Sequence, residues 1–257
     1  MAEPKIVTRQ DEGIGWLVFN NPERHNAVSL EMWEAAADAL EGFAADEAVR
    51  VVVVRGAGGK AFVSGADISK FESERAAAAA VARYDEATER AYETLLACPK
   101  PTLAMIEGYC IGGGVNLAVC CDLRICGEGA SFAVPAARLG LGYGYSRIHR
   151  LMTVVSPADA RDIFFTARRF GADEANTMRL VNRVVPDADL EAVATETART
   201  IAGNAPLTVG AIKRTIAEAL KPEAERDLLL CDRLVQACFD SEDYAEGRAA
   251  FREKRRP

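Results

Sequence analysis

Histidine is nearly missing from this chain: its 257 residues include two, His25 and His149. Seven cysteines are present (98, 110, 120, 121, 126, 231 and 238), yet none forms a Cys-x-x-Cys pair. A zinc site, which needs several such ligands at short spacings, is therefore not expected, and no metal is assigned. Most of the cysteines sit in apolar segments, as reduced buried thiols do, which also argues against a disulfide framework. No Gly-Lys-Ser/Thr follows a glycine run, which removes a P-loop, and Gly108-Tyr-Cys110 breaks a Gly-x-Gly-x-x-Gly dinucleotide fingerprint. Positive charge is in deficit: the net charge of −7 disfavours a general nucleic-acid surface. The basic cluster Arg252-Glu-Lys-Arg-Arg256 reads as a solvated helix end. No apolar run approaches membrane-spanning length, and Met1 to Lys5 holds no signal core. The expectation is a reduced, cytoplasmic protein with no nucleic-acid or membrane partner.

What the chain does have is apolar content, 49%, enough to bury a large core. Its centre is Ile106-Glu-Gly-Tyr-Cys-Ile-Gly-Gly-Gly-Val-Asn-Leu-Ala-Val-Cys-Cys-Asp122. Thr102 to Ile106 reads as a buried strand, and Gly112 to Gly114 then open a helix. The first amides of a helix lack internal partners and suit a negatively charged oxygen. This stretch has two readings of equal weight: half of an oxyanion hole, or a tight turn whose glycines serve packing alone.

Around it, Lys5–Gln10 and Gly15–Asn20 read as a hairpin turning at Asp11-Glu-Gly13. A helix is expected from Ser29 to about Ala45, with Leu30, Trp33, Ala37, Leu40 and Phe43 facing the core. Val51–Val54 is an unbroken apolar run of the kind buried on both faces. Ser69 to Pro99 reads as mostly helical. Short strands follow at Leu123–Cys126, Ser131–Val134 and Val181–Val185, with helices at Pro157–Thr166 and Ala172–Met178. Alternating strands and helices give an α/β architecture. The last third is helical, over Asp187–Ala202, Pro206–Leu220, Pro222–Phe239 and Ser241–Arg255. The third of these helices carries more apolar surface than a lone hairpin needs, which suggests oligomer contact.

A second motif, Lys60-Ala-Phe-Val-Ser-Gly-Ala-Asp-Ile68, follows the Val51 strand and the turn at Gly56-Ala-Gly-Gly59. With the Gly112 stretch, this pattern resembles the crotonase (enoyl-CoA hydratase/isomerase) superfamily. The resemblance runs over nearly the whole chain, from Asn20-Asn-Pro-Glu-Arg-His-Asn-Ala27 to Ala250-Phe-Arg-Glu-Lys-Arg-Arg-Pro257. It implies a spiral of ββα turns over residues 1–195 and a helical trimerisation region over 196–257, giving a homotrimer or a dimer of trimers. It also implies that the amides of Ala66 and Gly113 hold a thioester carbonyl oxygen and stabilise an enolate. The coenzyme A moiety is expected near Arg24, His25, Ala27, Ile68 and Lys70, with Phe251 and Lys254 approaching it from a neighbouring subunit. Beyond the coenzyme A of the substrate, the implied chemistry needs no cofactor.

Two positions depart from the hydratase pattern. Such enzymes carry one glutamate two residues after the last glycine of the run, and a second after the proline of the next loop. Here these are Asn116 and Ala136. Asparagine cannot titrate, and alanine can neither donate nor accept. The residues left around the acyl pocket are Arg138, Tyr143, Tyr145, Ser146 and His149. Ser146 is expected to cap the following helix, and His149 to be a satisfied structural histidine. The Tyr143…Ile148-His149 arrangement is most similar to methylmalonyl-CoA decarboxylase, although that enzyme has histidine where Ala66 stands. Decarboxylation of a malonyl-type thioester needs no general base, and Tyr143 is the candidate for orienting the carboxylate. The favoured expectation is a decarboxylase-like C–C lyase. The alternatives are a hydratase or isomerase with relocated acid/base groups, such as Glu72 or Glu74, and a non-catalytic acyl-CoA-binding protein.

Overall fold

The computed structural model describes residues 3–67 and 78–256. The chain opens with strands β1 (Ile6–Asp11) and β2 (Ile14–Phe19), paired antiparallel around a turn in which Glu12 and Gly13 both take positive φ. Helix α1 (Leu30–Ala45) buries Met32, Trp33, Ala36, Ala37, Leu40 and Phe43. Next comes β3 (Val51–Gly56), parallel to β2. Strands β5 (Thr102–Ile106), β7 (Leu123–Gly127) and β10 (Arg183–Val185) add on in parallel. The result is a six-stranded sheet in the order β1-β2-β3-β5-β7-β10.

The alternation of side chains divides this sheet between two cores. Val52, Val54, Ala104 and Ile106 face α1 and the bulk of the domain. Val51, Val53, Leu103 and Met105 face the opposite side, where α7 (Leu190–Ala202) lays down Leu190, Ala194, Ala198 and Ala202. Burial on both faces explains the unbroken apolar strands. The domain boundary expected between 195 and 196 falls inside α7, whose buried face is continuous across it.

A smaller sheet sits beside the first, in the order β4 (Ala61–Val63), β6 (Tyr109–Ile111), β8 (Ser131–Ala133) and β9 (Phe170–Gly171). Each spiral turn thus makes one long strand in the large sheet and one short strand in the small one. A helix closes two of these turns, α2 (Ala78–Ala97) after β4 and α3 (Gly113–Val119) after β6. The α/β spiral followed by C-terminal helices matches the expected fold class. Strands β4, β6 and β9 were not foreseen: two or three residues carry almost no period, and β8 was read only as part of the longer run Ser131–Val134.

The remaining helices are α4 (Tyr145–Met152), α5 (Pro157–Thr166), α6 (Ala172–Thr177), α8 (Pro206–Ala219), α9 (Leu228–Phe239) and α10 (Glu242–Glu253). The helix expected from Pro222 starts six residues later. Arg226 is extended, and the Asp227 carboxylate accepts a hydrogen bond from the Leu230 amide at 2.8 Å, which caps α9. Leu228, Leu229, Val235 and Phe239 on α9 are exposed. Among the described residues, no helix is long and apolar enough to cross a membrane.

Two of the three central glycines have separate reasons to be there. Gly112 sits at φ 56° and ψ −109°, a backbone conformation that side chains exclude. Gly114 packs so close to β4 that a Cβ would stand 2.1 Å from the Val63 carbonyl oxygen. Backbone on that side has no rotamer with which to yield. Gly114→Ala is expected to lower stability by about 1–3 kcal/mol through overpacking, measured by urea unfolding with fluorescence of the buried Trp16 and Trp33. An unchanged midpoint would mean that α3 and β4 do not meet this closely.

Candidate active site

The site begins with a pairing that touches neither glycine run. The Val28 amide donates to the Gly65 carbonyl at 2.8 Å, and the Asp67 amide donates to the Val28 carbonyl at 3.1 Å. This is a single parallel bridge between Val28 and Ala66. Because Val28 bonds to the residues on either side of Ala66, the Ala66 amide points away from the bridge. Among the described residues it has no acceptor, and neither does the Gly113 amide at the start of α3. The two segments lie side by side: a Cβ on Gly65 would sit 3.8 Å from the Gly113 nitrogen. Two unpaired amides are thereby brought together.

Aromatic side chains hold both segments. Tyr84 Oη donates to the Val28 carbonyl at 2.9 Å, and Trp33 Nε1 donates to Tyr84 Oη at 3.0 Å. Tyr92 Oη donates to the Gly113 carbonyl at 3.0 Å, and its ring meets Trp33 edge-on with centroids 5.3 Å apart. Trp33 on α1 thus links the two tyrosines of α2. The sequence had marked Trp33 as core and had given no role to Tyr84 or Tyr92. Asn26, fully buried, secures the loop before Val28. Its Nδ2 donates to the Ala57 and Ala61 carbonyls at 2.9 and 2.7 Å, and its Oδ1 accepts from the Asn21 amide at 2.8 Å.

Asn116, on the next turn of α3, is 2% exposed. Its Nδ2 donates to Tyr143 Oη, and its Oδ1 has no partner among the described residues. An unpaired buried oxygen costs about 1–3 kcal/mol, so Asn116 is more than packing. Burial pushes the Tyr143 hydroxyl up to about 12, against the opposing pull of the Arg147 charge and the Asn116 hydrogen bond. Burial raises Tyr92 well above its ordinary value too. Both phenols are neutral near pH 7. Ala136 and Tyr143 together border a cavity of about 450 Å³, which Ile148, Met152, Arg161 and Phe164 also line.

Two carboxylates of α2 meet the arginines of α4. Glu89 accepts from Arg147 Nε at 2.9 Å and from Arg150 Nη2 at 2.7 Å, while Asp85 accepts from Arg147 Nη2 at 3.2 Å. Burial raises the Glu89 carboxyl, but the Arg150 and Arg147 contacts outweigh it and hold the group below its usual range. Neither Glu89 nor Arg147 was picked out from the sequence. The four-residue spacing of Asp85 and Glu89 and the three-residue spacing of Arg147 and Arg150 each define a helix face. What sequence did not supply was the docking of those faces on each other.

Other expected site residues lie elsewhere. Arg138 is exposed in the 3₁₀ turn Pro135–Leu139. Tyr145 is 82% exposed and stacks on exposed His149, centroids 5.6 Å apart. His149 is therefore not held among apolar residues: positions 145 and 149 share the outer face of α4, and Leu151 turns inward. Gly144, not Ser146, occupies the cap of α4, and Ser146 Oγ donates to Glu89 at 3.3 Å. Arg24 and His25 are exposed on the loop that Asn26 secures, whereas Ala27 is buried. His25 meets Tyr109 edge-on at 5.7 Å. Ile68, Lys70, Glu72 and Glu74 lie outside the described residues. Phe251, 86% exposed, borders a separate apolar groove of about 790 Å³ between α8, α9 and α10, and Lys254 follows at the end of α10.

Comparison with known proteins agrees with this fold. A family profile described as Enoyl-CoA hydratase/isomerase matches residues 9–257. A Syntrophomonas wolfei protein named crotonyl-CoA hydratase is 31% identical over 256 residues, which cover 100% of this chain and 98% of its own length. A crystal structure described as an enoyl-CoA hydratase/carnithine racemase from Magnetospirillum magneticum has a TM-score of 0.92 at 40% identity, covering 100% of this chain and 95% of that one. An enoyl-CoA hydratase structure from Bacillus anthracis has a TM-score of 0.93 at 29% identity, covering 99% and 98%. None of these three names is that of a decarboxylase, so the local likeness around Tyr143 finds no support in them.

The raised phenols, Tyr92 buried and Tyr143 partly buried, make alkaline stability a readout of the site. A tyrosine that ionises near 10 when unfolded and near 12 when folded favours the native state below pH 10. That contribution is lost as pH rises from about 10 to about 12, because the unfolded chain releases the proton first. Denaturant midpoints recorded across this range are expected to fall for the wild type and to fall less for Tyr143→Phe. Identical slopes would mean that Tyr143 titrates as an exposed phenol.

Proposed function

The chain belongs to the enoyl-CoA hydratase/isomerase family, and from that premise we propose that it is an enzyme binding an acyl-CoA thioester and stabilising its enolate. The observation that carries this reading is the pair of amides at Ala66 and Gly113, each without an acceptor among the described residues and borne on adjacent segments. The thioester oxygen is received by both amides, so the charge that develops on it meets donors already in place. One such donor is worth about 100- to 1,000-fold in rate.

Within that class, the favoured reaction is decarboxylation of a malonyl-type CoA thioester. As the carboxylate leaves as CO₂, the electrons of the broken C–C bond form the enolate, whose negative oxygen rests on the two amides. A proton from solvent then completes the product at the α-carbon. No base is consumed. Asn116 and Ala136, where two carboxylates are expected of a hydratase, fit a reaction of this kind. Tyr143 keeps its hydroxyl proton and orients the departing carboxylate.

A second reading, hydration or isomerisation, draws on the names of the relatives and on Glu89 of α2. Glu89 is a poor proton donor at neutral pH, since Arg150 and Arg147 hold it ionised. We also infer self-association as a homotrimer or a dimer of trimers. Ile212, Ile216, Val235, Phe239 and Phe251 leave an apolar groove on α8–α10. In that assembly Phe251 and Lys254 approach the coenzyme A of a neighbouring subunit. Light scattering at micromolar concentration is expected to give a trimer or hexamer for the wild type and a smaller species for Ile216→Glu. A monomeric wild type would sink the assembly.

For the reaction, mass spectrometry of crotonyl-, 3-hydroxybutyryl-, methylmalonyl- and ethylmalonyl-CoA incubated with the protein in D₂O is decisive. Loss of CO₂ with deuterium gained at the α-carbon is expected. Tyr143→Phe should slow it roughly 10- to 100-fold, the worth of one hydrogen bond to a charged group. Fast exchange between crotonyl- and 3-hydroxybutyryl-CoA would instead establish hydration, and an unchanged pool would point to a binding protein.

A further inference from the structure

We propose that Asn21 is a positioning residue of the amide pair: through two hydrogen-bonded peptide units it fixes and polarises the Ala66 N–H that receives the thioester oxygen. The inference rests on the acyl-CoA reading above and deepens it.

The relay runs bond by bond from the loop after β2 to the site. Asn21 Nδ2 donates to the Ala27 carbonyl at 2.8 Å. That carbonyl shares a peptide unit with the Val28 amide, which donates to the Gly65 carbonyl at 2.8 Å. The Gly65 carbonyl in turn shares a peptide unit with the Ala66 amide. Both units are trans, so each C=O is antiparallel to its own N–H. Three donors therefore run head to tail, and the last has no acceptor among the described residues.

A peptide unit whose carbonyl accepts a hydrogen bond becomes a better donor at its N–H, because charge shifts along the conjugated O–C–N group. The strengthening amounts to roughly 10–30% per bond. Water does little to screen it here: Val28 is fully buried, and Asn21 and Ala27 are each 8% exposed. The Gly113 amide gains the same support from its own helix, where the Val115 and Asn116 amides donate to the Gly112 carbonyl at 3.1 and 3.3 Å. The Ala66 amide lies on an isolated bridge and depends on Val28 and Asn21 instead.

Asn21 is held in place for this. Its amide donates to Asn26 Oδ1 at 2.8 Å, and its carbonyl accepts from the Asn26 amide at 2.9 Å. Asn26 Nδ2 is tied in turn to the Ala57 and Ala61 carbonyls. A carbonyl only accepts, so the Asn21 side chain must present its nitrogen to Ala27. Aspartate at this position would set an acceptor against an acceptor. Leucine, of similar size, would leave the carbonyl bare.

Isotope-edited infrared spectroscopy of butyryl-CoA, labelled with ¹³C at the thioester carbonyl, reads the strength of the amide pair. Binding to the wild type is expected to lower the carbonyl stretching frequency relative to the ligand in water. Asn21→Asp and Asn21→Leu should each shrink that displacement by about 10–30%. The kcat of the reaction found with the acyl-CoA pool should fall roughly 2- to 8-fold, the same fraction of one donor's worth on a logarithmic scale. Affinity for butyryl-CoA should stay within about threefold. Replacing the Val28 amide by an ester, through the α-hydroxy analogue of valine, cuts the relay one link nearer the ligand and alters no side chain. It should shrink the displacement more than either Asn21 variant, and it serves as the test where those variants fold poorly. Full displacement in the ester and in both Asn21 variants would overturn the proposal and leave the amide pair standing. So would a band that broadens in place while affinity falls, the pattern of a loop merely loosened. An undisplaced wild-type band, or no binding of butyryl-CoA, would sink the acyl-CoA reading and this inference with it.

Discussion

The site depends on one close approach, that of Gly65 to the backbone at Gly113. It brings together two stretches that are 48 positions apart in the chain and belong to different turns of the spiral. The Val28 bridge turns the Ala66 amide away from itself, and Gly112, at a φ/ψ combination that side chains exclude, starts α3 with the Gly113 amide unspent among the described residues. Neither donor is a side chain, so neither adjusts by changing rotamer. The surrounding packing has to place both. Tyr84 grips the Val28 carbonyl, Tyr92 grips the Gly113 carbonyl, and Trp33 touches both tyrosines. Helices α1 and α2 thus act as a clamp across the two halves of the site.

This division of labour decides how much was legible in the sequence. The Gly112 run announced itself because a backbone requirement leaves a residue signature. Its two readings are compatible: Gly114 serves packing, with Val63 in the way of any side chain, while the Gly113 amide has no acceptor among the described residues. The long strands were visible because burial on both faces leaves apolar runs. The short strands β4 and β6 left none. The Val28 pairing is one bridge long and carries no period at all, so only the resemblance pointed to Ala66.

Side chains set by long-range docking were the least legible. Arg147 stood in a loop already singled out, and it was passed over in favour of Tyr145 and His149, which the structure turns to solvent. Ring chemistry and proximity in sequence had favoured the wrong neighbours. What distinguishes Arg147 is its partner helix: Asp85 and Glu89 lie some 60 positions upstream, and without α2 packed on α4 an arginine there looks like any solvated charge. The helix beginning at Leu228 shows a local version of the same problem. Asp227 reads as one more acidic residue until its carboxylate is seen capping Leu230.

The replacement of both expected carboxylates has an electrostatic consequence beyond lost proton transfer. Two ionised glutamates would set negative charge against the enolate that the amides stabilise, and would repel any acyl group bearing a carboxylate of its own. Asn116 and Ala136 remove that opposition. Tyr143, whose hydroxyl burial pushes up to about 12, adds a donor without adding charge near pH 7, and Glu89 is held on Arg147 and Arg150. Among the described residues, Asp85 and Glu89 already spend their charge on Arg147 and Arg150, so an anionic intermediate in the proposed reaction meets less opposition than it would beside two free glutamates.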